Sequence, residues 1–178
     1  MSHCDRCDNG RMAPESEDLA DSLVSAFWRA ARASVPSLPE EPPTADRVWG
    51  FGATPEHADE LLALVLAGIK TGTAGYLEQY EAEGAETERV GDLDVILDGS
   101  GAPRAIIETT AVTVIPFDDV SEAHAFSEGE DDRTLSSWRR IHRDFYEKYI
   151  APSTPFRGDI PIICQRFRLV HPPITKEE

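Results

Sequence analysis

The feature that most constrains the fold is the stretch "VGDLDVILDGSGAPRAIIETTAVTVIPF", residues 90–117. It contains three runs of β-branched and apolar residues, at 95–96, 105–107 and 111–115, and such residues favour strands. The segment "DGSGAP" separates the first two runs and has the glycines and the proline of a hairpin turn. We therefore predict antiparallel strands here, which excludes an all-helical fold.

Helices are predicted on both sides of this stretch from the spacing of apolar residues. The first covers residues 18–33, and the second is "TPEHADELLALVLAGIK", which Thr54 caps and Gly68 ends. A third helical pattern lies within residues 118–149, and "IPIICQRFRLV" predicts a last strand. This order of elements favours an α+β fold with a curved or closed sheet over a parallel sheet.

A chain of 178 residues with 40% hydrophobic content can bury one core and carry appendages. We predict a disordered leader over 1–16, an N-terminal helix and a Pro/Glu-rich connector over 17–46, and one domain over 47–178. No apolar run reaches the ~20 residues of a membrane span, and the N-terminus lacks the apolar core of a signal peptide. With three cysteines and no even framework, the expected location is the cytoplasm.

The formal net charge of −16 argues against binding a long polyanion, because phosphates attract basic surfaces. Residues 131–178 are the one third of the chain with more Lys and Arg than Asp and Glu, nine against seven. An anion-binding cleft would therefore draw on this C-terminal third and on Lys70, which is isolated among acids.

The segment "GIKTGT", Gly68 to Thr73, is the first candidate for chemistry. A desolvated lysine can act as a base, and a threonine hydroxyl becomes a nucleophile when a base removes its proton. The competing interpretation is a helix end with a lysine that complements the helix dipole, followed by strand-favouring threonines. The residue types alone favour this second interpretation.

The segment "HAFSEGEDDRT", residues 124–134, is the second candidate. Its carboxylates could serve in proton transfer, could orient a lysine, or could together hold Mg²⁺ or Mn²⁺. For residues 130–132 we favour an acidic loop that leads into a helix capped by Asp132 or Thr134. For Glu128 the sequence leaves both a role in chemistry and a place in the acidic loop open. Glu108, inside an apolar strand, is expected to point outward.

Two further segments contain residues typical of functional sites. In "WRRIHRDFYEKY" the cations and aromatic rings are typical of single-stranded RNA binders, but Trp138, Ile141 and Phe145 also form one core stripe, which leaves the arginines and His142 on the solvated back. In "CDRC", Cys4 and Cys7 could be half of a zinc site, but the chain has no second such pair to supply four ligands. We therefore predict neither a metal nor a cofactor, and we expect Cys164 to be a core residue.

From about Phe27 to Val170 the chain resembles the ASCH domain superfamily, and most closely its bacterial stand-alone branch. The resemblance rests on the G-x-K-T-x-T element at 68–73 and the H-A-x-x-E element at 124–128. It implies a PUA-like fold, a small β-barrel flanked by helices. Some small members of the superfamily remove the acyl group from N4-acetylcytidine with a lysine, a threonine and a glutamate, which here would be Lys70, Thr73 and Glu128. Other members are ribonucleases or RNA-binding domains.

The leading expectation is a hydrolase that acts on a small modified nucleoside. Neutral Lys70 would deprotonate Thr73 for attack on an amide carbonyl, and Glu128 would orient the lysine or pass a proton to the leaving amine. The expected substrate-binding residues are Gly68, Thr71, Arg133 and Arg143.

Two alternatives stay open. One is a ribonuclease or a single-stranded RNA-binding module that uses Lys70 and the C-terminal arginines, with or without a divalent metal. It predicts a basic cleft and strongly salt-dependent binding. The other is a sensor that holds a nucleotide-like ligand without turnover.

Overall fold

The computed structural model describes residues 14–173, with side chains from residue 21 onward. The chain forms five α-helices and five strands within this range. The helices are α1 (Pro14–Ser34), α2 (Pro55–Leu66), α3 (Leu77–Glu83), α4 (Glu122–Glu128) and α5 (Leu135–Phe145). The strands are β1 (Val48–Trp49), β2 (Gly72–Tyr76), β3 (Leu93–Leu97), β4 (Pro103–Pro116) and β5 (Pro161–His171).

The strands form one mixed sheet in the order β1-β3-β4-β5-β2. β1 is parallel to β3, and every other pair of neighbours is antiparallel. The α+β class is confirmed, but the sheet is open, so the expected closed barrel is wrong in this respect. In the described residues β1 pairs only with β3 and β2 only with β5, because β1 has two residues and offers too little edge for closure.

The predicted hairpin is confirmed, with β3 antiparallel to the first half of β4. The two apolar runs that follow the turn belong to one long strand, because β4 continues to Pro116 and pairs with β5 along its length. A register shift between Thr109 and Ala111 marks the point where β4 passes beyond β3. β4 and β5 are therefore the centre of the sheet on which the helices pack.

Helices cover both faces of this sheet, because successive strand residues point to opposite sides. Val95 and Ile106 pack against α1, whereas their neighbours Ile96 and Ile107 pack against α2. α4 and α5 enclose a third cluster with the start of β5, around Phe117, Trp138, Tyr146 and Ile162. Each helix that carries a candidate site residue is therefore anchored in the core.

The helical pattern within residues 118–149 is divided into α4 and α5 by a loop. α4 ends at Gly129, which has a φ of +76°, and the loop contains the left-handed residues Asp131 and Arg133. Thr134 caps α5 by accepting a hydrogen bond from the backbone N–H of Ser137. Of the two predicted caps, Asp132 and Thr134, the helix therefore uses Thr134. The division lets the end of α4, which holds Glu128, lie against α5.

Residues 1–13 of the predicted leader, with Cys4 and Cys7, lie outside the described residues. Residues 14–16, which were also predicted as leader, belong to α1 instead, because that helix begins at Pro14. In the part that is described, no helix combines the length and apolar content needed to cross a bilayer.

α1 is expected to be an integral part of the core. Trp28 is 2% exposed and belongs to the same core cluster as Val95 and Ile106 of the sheet. Its indole N–H donates to the carbonyl oxygen of Pro39. Replacing it with Ala should lower the free energy of unfolding by about 3–5 kcal/mol through the cavity that it leaves. Urea denaturation measures this effect. Leu23→Ala is the matched control on the same helix, since Leu23 is 46% exposed. Equal effects of the two substitutions would contradict the packing of α1 on the sheet.

Candidate functional site

The end of α2 delivers Lys70 into the protein interior. After Ala67, Gly68 turns the chain with a φ of +70°, and the backbone N–H groups of Ile69 and Lys70 both donate to the carbonyl oxygen of Leu64. Lys70 itself is 1% exposed. A charged side chain at this depth is stable only with partners, so Lys70 is not a solvated residue at a helix end.

Gly72 explains why the strand after Lys70 begins with a glycine. A Cβ at this position would lie 2.4 Å from Ser127 Oγ and 3.2 Å from the carbonyl oxygen of Gln165. The missing side chain lets the end of α4 lie against β2, where the backbone N–H of Thr71 donates to the carbonyl oxygen of Ser127 over 2.7 Å. This close approach brings Glu128, the next residue of α4, to Lys70.

Glu128 and Lys70 form a buried ion pair. Glu128 is 1% exposed, and its Oε2 lies 3.3 Å from Lys70 Nζ. The indole N–H of Trp138 donates to Oε1 over 2.6 Å. His124 Nε2 lies 3.0 Å from Oε1, although its ring is not aligned for a hydrogen bond.

Burial by itself raises the pKa of the Glu128 carboxyl, but the charges of His142 and Lys70 and the nearby histidine side chains outweigh it. They hold the pKa of Glu128 well below its usual range. Glu128 is therefore a carboxylate at neutral pH, and it is unsuited to donate a proton.

His142 belongs to this site, which corrects the sequence-based assignment to the solvated back of α5. Its ring stacks on Trp138, with centroids 4.1 Å apart, and its Nε2 lies 3.5 Å from Glu128 Oε2. Burial by itself lowers the pKa of His142, but the Glu128 carboxylate outweighs this and keeps the pKa above its usual value. Residues four apart share a helix face, so Trp138 and His142 point inward together.

Glu130 also takes part, which corrects the interpretation of residues 130–132 as only an acidic loop. Its Oε1 lies 2.8 Å from Lys70 Nζ, and its side chain is 15% exposed. Asp131 pairs instead with Arg140, and Asp132 accepts a hydrogen bond from the backbone N–H of Thr134. Lys70 therefore lies between one fully buried carboxylate and one that reaches the surface.

This cluster forms one end of a cavity of about 620 Å³. Thr73 lines the cavity together with Lys70, Glu128, Glu130 and His142. Aromatic rings form much of the remaining wall: Trp49, Phe51, Tyr76, Tyr80 and Phe145. The acidic segment "LEQYEAEGAE" contributes α3 and the residues after it to the wall, so it shapes the cavity.

The cavity lining is acidic. Six carboxylate residues line it: Asp46, Glu83, Glu86, Glu88, Glu128 and Glu130. Its Lys and Arg residues are Lys70, held by Glu128 and Glu130, and Arg47, whose guanidinium lies 2.7 Å from Asp92 and 3.8 Å from buried Asp94. Both cations are thus already paired with carboxylates, which disfavours binding of a phosphate group in this cavity.

The structure brings three predicted site residues together and leaves four outside the cavity wall. Lys70, Thr73 and Glu128 line the cavity, and Gly68, Thr71, Arg133 and Arg143 are absent from its described lining. The Arg133 guanidinium lies over the Phe126 ring and donates to the Phe126 carbonyl oxygen, and that of Arg143 lies over Phe156. Gly68 turns the chain at the end of α2, and the backbone N–H of Thr71 donates to the carbonyl oxygen of Ser127 in α4.

The C-terminal arginines do not form a basic cleft in the described residues. Arg140 pairs with Asp131, Arg157 with Asp159, and Arg168 with Glu108, the strand acid that was expected to point outward. Cys164 is buried in the core as expected, and burial, with a smaller contribution from the Glu128 charge, raises the pKa of its thiol to about 12. Within residues 14–173 no group of three or more His, Cys, Asp and Glu side chains is placed to hold a metal ion.

Loss of the Glu128 charge should destabilise the fold. Glu128→Gln leaves the buried cations of Lys70 and His142 without their shared carboxylate, so the free energy of unfolding at pH 7 should fall by about 3 kcal/mol. Glu130→Gln is the control and should cost less, because Glu130 is partly exposed and Lys70 keeps Glu128. Urea denaturation of both variants distinguishes them. A Glu128→Gln protein as stable as the wild type would contradict a buried ion pair.

Asp94 should make stability depend on pH. Burial, opposed by the Trp49 hydrogen bond and by Arg47, raises the pKa of Asp94 to about 6. The folded state therefore binds this proton more tightly than the unfolded chain, and the stabilisation present below pH ~4 is lost as the pH rises through about 6. Relative to wild type, Asp94→Asn should gain up to about 3 kcal/mol between pH 4 and pH 7. Exposed Asp144→Asn is the control, and parallel stability curves for wild type and Asp94→Asn would refute the effect.

Comparison with known proteins agrees with this architecture. The family model described as ASCH domain matches residues 47–171. Protein EF3133 from Enterococcus faecalis, a crystal structure described with the family model DUF984, is 34% identical, with a TM-score of 0.73 over 84% of this chain and 91% of its own. The crystal structure of an ASCH domain from Lactobacillus crispatus is 26% identical, with a TM-score of 0.66 over 91% of this chain and 98% of its own. No curated protein sequence matches significantly. The chain belongs to the ASCH domain family.

Proposed function

We propose that the protein is an amidohydrolase that removes an acyl group from a small modified nucleoside of the N4-acylcytidine type. The observation that carries this proposal is the buried Lys70–Glu128 ion pair at the wall of a cavity that Thr73 also lines. A base, a hydroxyl nucleophile and an orienting carboxylate are the groups that covalent hydrolysis of an amide needs.

The cavity supports a small neutral ligand. Its volume of about 620 Å³ lies in the range of sites for small molecules, and its aromatic rings offer stacking faces for a base. Its six acidic residues, and the pairing of its two cations with carboxylates, favour an uncharged nucleoside over RNA, which carries a negative phosphate at each nucleotide.

The residues divide the work as follows. The Thr73 hydroxyl attacks the amide carbonyl and gives its proton to the neutral amine of Lys70, which forms a tetrahedral adduct. When the adduct collapses, the C–N bond breaks, the protonated amine leaves, and an acyl-threonine remains. The neutral amine arises when the ammonium of Lys70 loses a proton, and Glu130, 2.8 Å away and partly exposed, can pass that proton to solvent. Glu128 remains ionised and orients Lys70.

The test is hydrolysis of N4-acetylcytidine by the wild type and by variants of the two reactive residues. Lys70→Ala and Thr73→Val should each lower kcat/KM by about 100-fold or more, since Val keeps the shape of Thr without its hydroxyl. Thr73→Ser should retain activity. Exposed Lys148→Ala and Thr110→Ala are the matched controls and should leave the rate unchanged.

A short single-stranded RNA in the same assay separates the other functions. Cleavage of RNA that needs Lys70 but not Thr73, without deacylation, would refute the proposal in favour of a ribonuclease. Tight binding of the nucleoside without turnover, unaffected by Thr73→Val, would refute it in favour of a sensor.

A further inference from the structure

The His142 ring is placed to carry two protons. Its Nδ1 lies 2.9 Å from the carbonyl oxygen of Trp138, and its Nε2 lies 3.5 Å from Glu128 Oε2. Both partners are acceptors, and a neutral imidazole can donate from only one nitrogen. With a carboxylate beside Nε2 and a carbonyl oxygen beside Nδ1, the geometry favours the imidazolium form, which carries a proton on each nitrogen.

The ring is held in one orientation at the cavity wall. It stacks on Trp138 with an interplanar angle of 19°, while the Nδ1 contact to Trp138 fixes its rotation. The side chain is 12% exposed and lines the same cavity as Lys70 and Thr73. The Nε2–Oε2 distance of 3.5 Å is long for a hydrogen bond, so the Nε2–H is not committed to Glu128 and can donate to a ligand atom.

The charges that face His142 favour its protonated form. Glu128 on α4 and Glu130 in the following loop are negative, whereas Lys70 before β2 is positive, and His124 on α4 lies on the other side of Glu128. Burial by itself lowers the pKa of His142, but the Glu128 carboxylate and the carbonyl contact outweigh it, so the pKa is above its usual value. The imidazolium is therefore stable in the folded protein below this raised pKa.

We propose that His142 is the general acid of the reaction, the group that protonates the leaving amine. This inference rests on the proposed amide hydrolysis. It gives the leaving amine a proton donor separate from Lys70, since Glu128 remains ionised and is unsuited to give a proton.

The proton balance closes with His142 in this role. When the tetrahedral adduct on Thr73 collapses, the C=O bond re-forms, the C–N bond breaks, and the Nε2 proton moves to the leaving nitrogen. Neutral His142 then takes a proton from the water that attacks the acyl-threonine. Lys70, protonated in the first step, returns its proton to the Thr73 oxygen as the ester bond breaks, so all three residues regain their starting forms.

The test compares two substrates that differ in their need for a general acid. The leaving group of N4-acetylcytidine is the N4 amine of cytidine, which must be protonated as the C–N bond breaks. The leaving group of p-nitrophenyl acetate is p-nitrophenolate, a stable anion that needs no proton. His142→Gln should lower amide hydrolysis by about 100-fold or more. The same variant should keep the pre-steady-state burst of p-nitrophenolate, which reports acylation of Thr73.

The outcomes separate the two proposals. Amide hydrolysis by His142→Gln at the wild-type rate would overturn the role of His142, as would parallel loss of amide hydrolysis and the burst, which indicates a structural role. Amide hydrolysis by the wild type that does not depend on Thr73 would instead overturn the proposed function.

A measurement on the wild type covers the case in which His142→Gln does not fold. An NMR titration of the ¹⁵N-labelled imidazole rings should show both His142 nitrogens protonated at pH 6.5, and amide hydrolysis should decline above the pKa found. A neutral His142 ring at that pH would overturn the proposal.

Discussion

The rest of the site depends on one constraint, which is that Lys70 and Glu128 are charged and fully buried together. Two such charges need several polar partners, because an unpaired buried charge costs more than the fold can provide. The protein meets this need with side chains from three separate segments, Trp138 and His142 on α5, His124 on α4, and Glu130 in the loop between them. The close contact of β2 and α4 at Gly72 brings Glu128 to Lys70.

Much of the fold could be predicted from local patterns. The hairpin turn "DGSGAP", the cap at Thr54 and the stop at Gly68 act over a few residues, and each appears in the structure where the sequence indicates it. Closure of the sheet depends instead on whether the two edge strands are long enough to meet. That depends on the two-residue length of β1, which no local pattern specifies.

The candidate site was predictable only where the family motifs point to it. The two motifs indicated Lys70, Thr73 and Glu128, and the structure places all three at one cavity. The parts that were missed depend on contacts between distant segments, such as Glu130 with Lys70. His142 was missed although its spacing from Trp138 carried the information, because the heavy run of arginines around it suggested a solvated face.

The cavity has two walls with different origins. One wall is built from the ends of α2 and α4 and from α5, which are anchored in the core and position Lys70, Glu128 and His142. A second wall includes α3 and the residues after it, a connection between β2 and β3 whose helix has no buried residue. Because connections tolerate changes of length and sequence better than cores do, the second wall can diverge among relatives while the first stays fixed. The fold therefore places the cluster of Lys70, Glu128 and His142 on the anchored wall, and leaves the shape of the ligand cavity to a connection that is free to vary.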